Sequence, residues 1–264
     1  MSSSTPNVSQ LFQAAQGAGE LSPASMQALN VVDLGAQIQD ALGIPALDVQ
    51  SSEVFLVAVL IDDSGSIRFV PGNTEAVREG HNSLIDALKG SKQDDSILMH
   101  TTYLNDGSLF AFCPLSQAVR LDAKNYNPTG GTPLFERAVA LLGTVLAKAR
   151  EFADNGVPVR TATCLVTDGN PTDMRFKAQD VMALVDDMHR QETHIIAGMG
   201  IDDGQTDFGL VFSGMGIRPE WILTPKNSPS EIRKAFGTFS KSAVRASQSA
   251  QSFSQTAMGG FASP

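Results

Sequence analysis

The feature that most constrains the fold is an unbroken apolar run, Val54-Phe55-Leu56-Val57-Ala58-Val59-Leu60-Ile61, which stops abruptly at Asp62-Asp63-Ser64-Gly65-Ser66. A run of this length without polar alternation reads as a strand buried on both faces, the kind found inside parallel sheets covered by helices. The segments that follow agree. Residues 74–88 space Val77, Leu84, Ile85 and Leu88 at helical intervals, and 96–104 and 108–113 read as strands joined through Asn105-Asp106-Gly107 as a hairpin. Helical patterns at 133–152 and 178–190 alternate with strands at 161–167 and 194–199. A short helix over 207–215, a short strand at 221–223 and a closing helix over 230–245 complete the series. The predicted fold class is α/β, Rossmann-like: a doubly wound, mostly parallel central sheet with one antiparallel edge strand and helices on both faces.

Composition narrows the function. The 264 residues carry a formal charge of −9, a field that repels nucleic acid and anionic membranes. Arg233, Lys234, Lys241 and Arg245 alternate with small and apolar residues and read as the wet side of a helix, so no nucleic-acid partner is expected. No segment approaches the roughly 18 apolar residues of a membrane span, and the amino terminus lacks the pattern of a secretory signal, so the expected location is cytoplasmic. Cys113 and Cys164 fall in predicted strands without CxxC spacing and read as reduced thiols. Residues 1–50 read as a low-complexity extension with one possible helix over 29–42, residues 51–246 as the domain, and 247–264 as a mobile tail rich in Ser, Gln and Gly.

Ligands of doubly wound sheets gather beyond the carboxyl ends of the strands. Three exits there carry oxygen donors: Asp62-x-Ser64-x-Ser66, Thr132 within Thr129-Gly130-Gly131-Thr132-Pro133, and Asp168 within Thr167-Asp168-Gly169. Two carboxylates and three hydroxyls are hard donors suited to Mg²⁺, with Mn²⁺ or Ca²⁺ as alternatives. Neutral hydroxyls leave the ion electrophilic and leave room for an outside ligand. Asp63 is expected to face solvent, and Asp173 to cap the helix that follows it or to support the site. The run Gly198-Met199-Gly200-Ile201-Asp202-Asp203-Gly204 has the wrong spacing for a dinucleotide loop and reads as a turn, with Asp202, Asp203 and Asp207 as caps. His81, His100, His189 and His194 share no metal-like spacing.

Asp62, Ser64, Ser66, Thr132 and Asp168 together resemble the metal-ion-dependent adhesion site (MIDAS) of von Willebrand factor A (vWA) domains. The resemblance covers about residues 54–246. It implies that Ser64, Ser66 and Thr132 ligate directly, that Asp62 and Asp168 do so directly or through water, and that a Glu or Asp of a partner protein completes the shell. Gly130-Gly131-Thr132-Pro133-Leu134, Thr167-Asp168-Gly169-Asn170-Pro171-Thr172-Asp173 and Phe239-Ser240-Lys241-Ser242-Ala243-Val244-Arg245-Ala246-Ser247 look most like the bacterial tellurite-resistance type. That type implies an adaptor in a stress-response assembly. The site offers no adjacent general base, nucleophile or Lys/Arg clamp, so binding without catalysis is expected. Two other readings compete. In one, the terminal extensions drive assembly and the metal only stabilises the fold; in the other, the chain is a Mg²⁺-dependent phosphohydrolase, which lacks support because Ser64 stands where a second acid is needed and no phosphate loop occurs.

Overall fold

The computed structural model describes residues 7–31, 33–248, 253 and 258–261. Six strands form one sheet in the order β3-β2-β1-β4-β5-β6. They are β1 (Val54–Ile61), β2 (Ile97–Tyr103), β3 (Ser108–Pro114), β4 (Val159–Thr167), β5 (His194–Gly200) and β6 (Ile222–Leu223). All neighbours are parallel except β2 and β3, so the antiparallel strand lies at one edge, as expected. β1 is buried along its whole length because β2 and β4 flank it and helices cover both faces.

The helices are α1 (Val8–Gly17), α2 (Pro23–Leu29), α3 (Leu34–Ala41), α4 (Asn73–Lys89), α5 (Leu134–Asp154), α6 (Ala178–Gln191), α7 (Phe208–Gly214) and α8 (Pro229–Gln248). Successive residues of a strand face opposite sides. Thr101 of β2 meets His81 of α4 at 3.0 Å, and its neighbours His100 and Thr102 line a cavity with α5, so α4 and α5 cover opposite faces. α8 packs along α4, burying Ile232, Phe236, Phe239 and Ala243 as its spacing predicts.

The first fifty residues depart from expectation. In place of a low-complexity extension with one helix, α1, α2 and α3 pack against α5 and α6 as an added layer. Their buried residues, including Leu11, Phe12, Leu29, Leu34 and Ile38, belong to the same core as the sheet. Gly143 of α5 admits them closely, since a Cβ there would stand 2.6 Å from Leu29 and 2.9 Å from Ile38. Buried Lys148 clamps the connection to β1: it donates to the Ile44 carbonyl and, at 2.8 Å, to Glu151, which in turn accepts the Ala46 N–H at 2.8 Å. The sparse, widely spaced apolar residues of this region concealed a set of short helices that bury only one stripe each.

Most of the tail, namely 249–252, 254–257 and 262–264, lies outside the described residues, as do 1–6. The described part of the tail is held in place. Arg245 donates to the carbonyls of Met258 and Gly260 at 3.1 and 2.9 Å, and Phe261 donates its N–H to Glu220 at 3.0 Å and sets its ring against Trp221. β5 runs one residue beyond the strand expected at 194–199 to include Gly200, and at Gly198 and Gly200 the rings of Phe212 and Phe208 of α7 occupy the space a Cβ would need. Cys113 and Cys164 are free thiols on β3 and β4. Among the described residues, no helix is long and apolar enough to cross a membrane.

Candidate functional site

The carboxyl ends of β1 and β4 are adjacent, and the chain leaves both into short loops. Asp62, the first residue past β1, folds its buried carboxylate back over these exits. One oxygen accepts the Ser64 N–H at 2.7 Å; the other accepts the Asp168 N–H at 3.0 Å and the Thr167 hydroxyl at 2.7 Å. Asp62 therefore ties the first loop to the end of β4. Its own carbonyl receives the Tyr126 hydroxyl at 2.6 Å, which anchors the long connection before α5.

The two serines turn toward Asp168. Ser64 Oγ and Ser66 Oγ lie 2.9 Å apart, and both donate to Asp168 Oδ1, at 3.3 and 2.6 Å. Thr132 arrives from the third loop: a Cβ on Gly169 would stand 3.0 Å from Thr132 Oγ1 and 3.8 Å from Ser66 Oγ. The absent side chain of Gly169 thus leaves room for those hydroxyls to converge. Thr172 holds Thr132 by two bonds, its Oγ1 accepting the Thr132 N–H at 3.1 Å and its own N–H donating to the Thr132 carbonyl at 2.9 Å. All five residues singled out in the sequence are brought together.

Asp62 and Asp168 are 1% and 3% exposed, and neither takes part in an ion pair among the described residues. Burial, followed by the charge of Asp62, pushes the Asp168 carboxyl up to about 7. Burial also raises Asp62 against the hydrogen bonds that lower it. Two carboxylates so placed, with three hydroxyls beside them, form a site whose negative charge is uncompensated by the protein.

One expectation is corrected, and of the two readings of Asp173 only the capping of a following helix fails. Asp63 is buried, not solvent-facing; its carboxylate accepts the backbone and side-chain N–H of Asn105 and the N–H of Asp106. Asp173 caps α5, which precedes it in the chain, accepting the N–H groups of Phe135 and Glu136 at 3.0 and 2.8 Å. Asp207 caps α7 as expected, whereas Asp202 and Asp203, also expected as caps, bond within the turn before it. Sequence reasoning missed the supports Asn105, Tyr126, Thr167 and Thr172. Thr167 and Thr172 lie inside a segment already noted for the site, whereas Asn105, noted only as a hairpin turn, and Tyr126 reach the site only through the fold.

The fold and the gathered oxygen donors define a doubly wound α/β protein with an acidic, hydroxyl-lined cluster at the carboxyl ends of its central strands. The sequence matches no family model, and no curated protein matches it. Among solved structures, two forms of the pilus adhesin SpaC from Lactobacillus rhamnosus GG are similar at 13% identity, with TM-scores of 0.50 and 0.53 over 74% of this chain. Proximal thread matrix protein 1 from the mussel byssus is similar at 16% identity and TM-score 0.48, over 73% of this chain. The chain spans 30–31% of SpaC and 46% of the byssus protein, less than half of each. At these identities the likeness to SpaC is one of fold.

Proposed function

We propose that this chain is a vWA-type binding module that holds one divalent cation, Mg²⁺ in the first instance, at Asp62, Ser64, Ser66, Thr132 and Asp168, and through it engages a carboxylate of a partner protein. The observation that carries this reading is the meeting of Asp62 and Asp168, buried and, among the described residues, without a cationic partner, beside three hydroxyls, two from the loop of Asp62 and one from a third loop. The residues fit such an ion by chemistry, since oxygen donors of this kind suit hard cations. When bound, the ion would neutralise the two acids and present a Lewis-acidic position to an incoming carboxylate.

The protein's own part is to preorganise that position. Asp62 locks the first loop to β4, Thr172 orients Thr132, and Asp173 fixes the start of α5 behind it. We infer binding without turnover, because no histidine is among the five residues of the cluster, and His81, His100 and His194 bond instead to Thr101, Phe110 and Thr161. An adaptor role in a bacterial stress-response assembly of the tellurite-resistance kind is the finer reading, and it rests on the sequence resemblance alone.

Calorimetric titration with Mg²⁺, Mn²⁺ and Ca²⁺ tests the ion, and capture of partners with Mg²⁺, with chelator and with Asp62→Ala tests its use. Saturable binding lost in Asp62→Ala, with partner recovery following the metal, is expected. Equal recovery under all three conditions would overturn the proposal.

A further inference from the structure

A cavity of about 440 Å³ lies between α3, α5 and the β2–β3 hairpin, and none of the five residues of the candidate metal site lines it. That volume falls within the usual range for small-molecule sites. Three buried polar side chains of its lining, His100, Thr102 and Thr144, have already committed their hydrogen-bond donors. The Phe110 carbonyl takes the N–H of His100 Nδ1 at 2.7 Å, which fixes the lone pair on Nε2. Among the described residues nothing partners Nε2. The Thr102 hydroxyl donates to the Gly107 carbonyl at 2.9 Å, and the Thr144 hydroxyl to the Ala140 carbonyl at 2.8 Å. What each has left is acceptor capacity.

The charges of the lining point the same way. Asp40 and Asp106 are exposed acids on it, against one basic residue, Arg137. Arg137 has turned Nε to the Leu104 carbonyl and Nη1 to Gln37. Burial pulls His100 down to about 4, so the imidazole is neutral at physiological pH. Acceptors left open toward a cavity are matched by donors brought into it, and an ammonium group supplies three donors and no acceptor.

We propose that this cavity binds a small aliphatic diamine, one ammonium facing the acceptors of His100, Thr102 and Thr144 and the other facing the carboxylates of Asp40 and Asp106. A monohydric or purely anionic ligand would leave one of these sets unsatisfied.

The test uses the full chain with ¹⁵N-labelled histidine, titrated with 1,4-diaminobutane while the imidazole nitrogens are followed by NMR. The expected result is a saturable movement of His100 Nε2, with His81, His189 and His194 unmoved. Affinity should fall about tenfold in Thr144→Val, which keeps the shape but removes the acceptor, and in Asp40→Asn. Asp40 is exposed on α3, so that variant carries the test if Thr144→Val fails to fold. No saturable movement, unchanged affinity in the folded variants, or an equal response to the neutral polyol erythritol would overturn the proposal.

Discussion

Asp63 accepts both N–H groups of Asn105, the backbone one at 2.9 Å and the side-chain one at 2.8 Å, and Asn105 Nδ2 also reaches the Gly131 carbonyl at 3.0 Å. Two residues outside the five-residue cluster thereby connect the β1 loop, the hairpin and the loop bearing Thr132. Hydrogen bonds to a charged acceptor contribute about 1.5–3 kcal/mol each, so Asp63→Ala and Asn105→Ala are each expected to cost about 2–4 kcal/mol in denaturant unfolding. The two changes share a network, so the double variant should lose less than the sum by about 0.5–3 kcal/mol. Strict additivity would show that the contact does not couple these loops.

The uncompensated acids make a second prediction. Asp168→Asn removes a buried charge and should raise the melting temperature of the metal-free chain at pH 7.5. It should also abolish the stabilisation by Mg²⁺ that the proposed site predicts for the native chain, about 2.7 kcal/mol at a hundredfold excess over Kd. Thermal scans with Mg²⁺ and with chelator measure both effects. A variant destabilised without metal would show that the carboxylate is held well enough by Ser64 and Ser66 alone.

Stability should vary with pH through the buried histidines. Burial lowers His81 and His100 to about 4 and His194 to about 3, from the usual 6.5. The unfolded chain therefore takes up protons that the folded chain refuses, and the stability present above pH 6.5 is lost as pH falls toward 4. Asp168 works in the opposite sense. With its carboxyl raised to about 7, the stability of its protonated form is lost as pH rises from 3.8 through 7. Unfolding midpoints between pH 4 and 8 should consequently rise more steeply in Asp168→Asn than in the native chain; parallel curves would contradict the assignment.

Lys148 and Glu151 are 0% and 3% exposed at their side chains, and between them they bind the Ile44 carbonyl and the Ala46 N–H. Breaking a buried pair by removing one partner costs about 3–5 kcal/mol, so Lys148→Met should lose that much. It should also speed hydrogen exchange at Ala46. Loss of stability without faster exchange there would mean that the clamp does not hold the α3–β1 connection.

The sheet and the candidate cluster were legible because their signals are local. β1 is apolar along its whole length, and Asp62, Ser64, Ser66, Thr132 and Asp168 each leave a strand or open a helix within a few residues of a recognisable boundary. Asn105 was legible only as a hairpin turn, with nothing to show that it reaches Asp63, and Tyr126 carried no mark. Tyr126 meets Asp62 across 64 residues, a contact that only the closed fold creates. Of the amino-terminal helices, α3 falls within the helix expected over 29–42, whereas α1 and α2 were missed because Leu11 and Leu29 are buried only by packing on the rest of the fold, amid Ser- and Gln-rich sequence. Asp63 was misplaced because a third acid in a turn ordinarily faces water, whereas here the hairpin folds over it.

The packing of α1, α2 and α3 against α5 and α6 bears on how the α/β unit could be excised or grafted. Cutting before β1, where the sequence suggests a boundary, would strip the cover from Gly143 and leave Glu151 without the Ala46 N–H. A transplantable unit must keep residues 8–46, and a fusion partner joined directly to Val54 would compete with the chain's own helices for the same surface of α5.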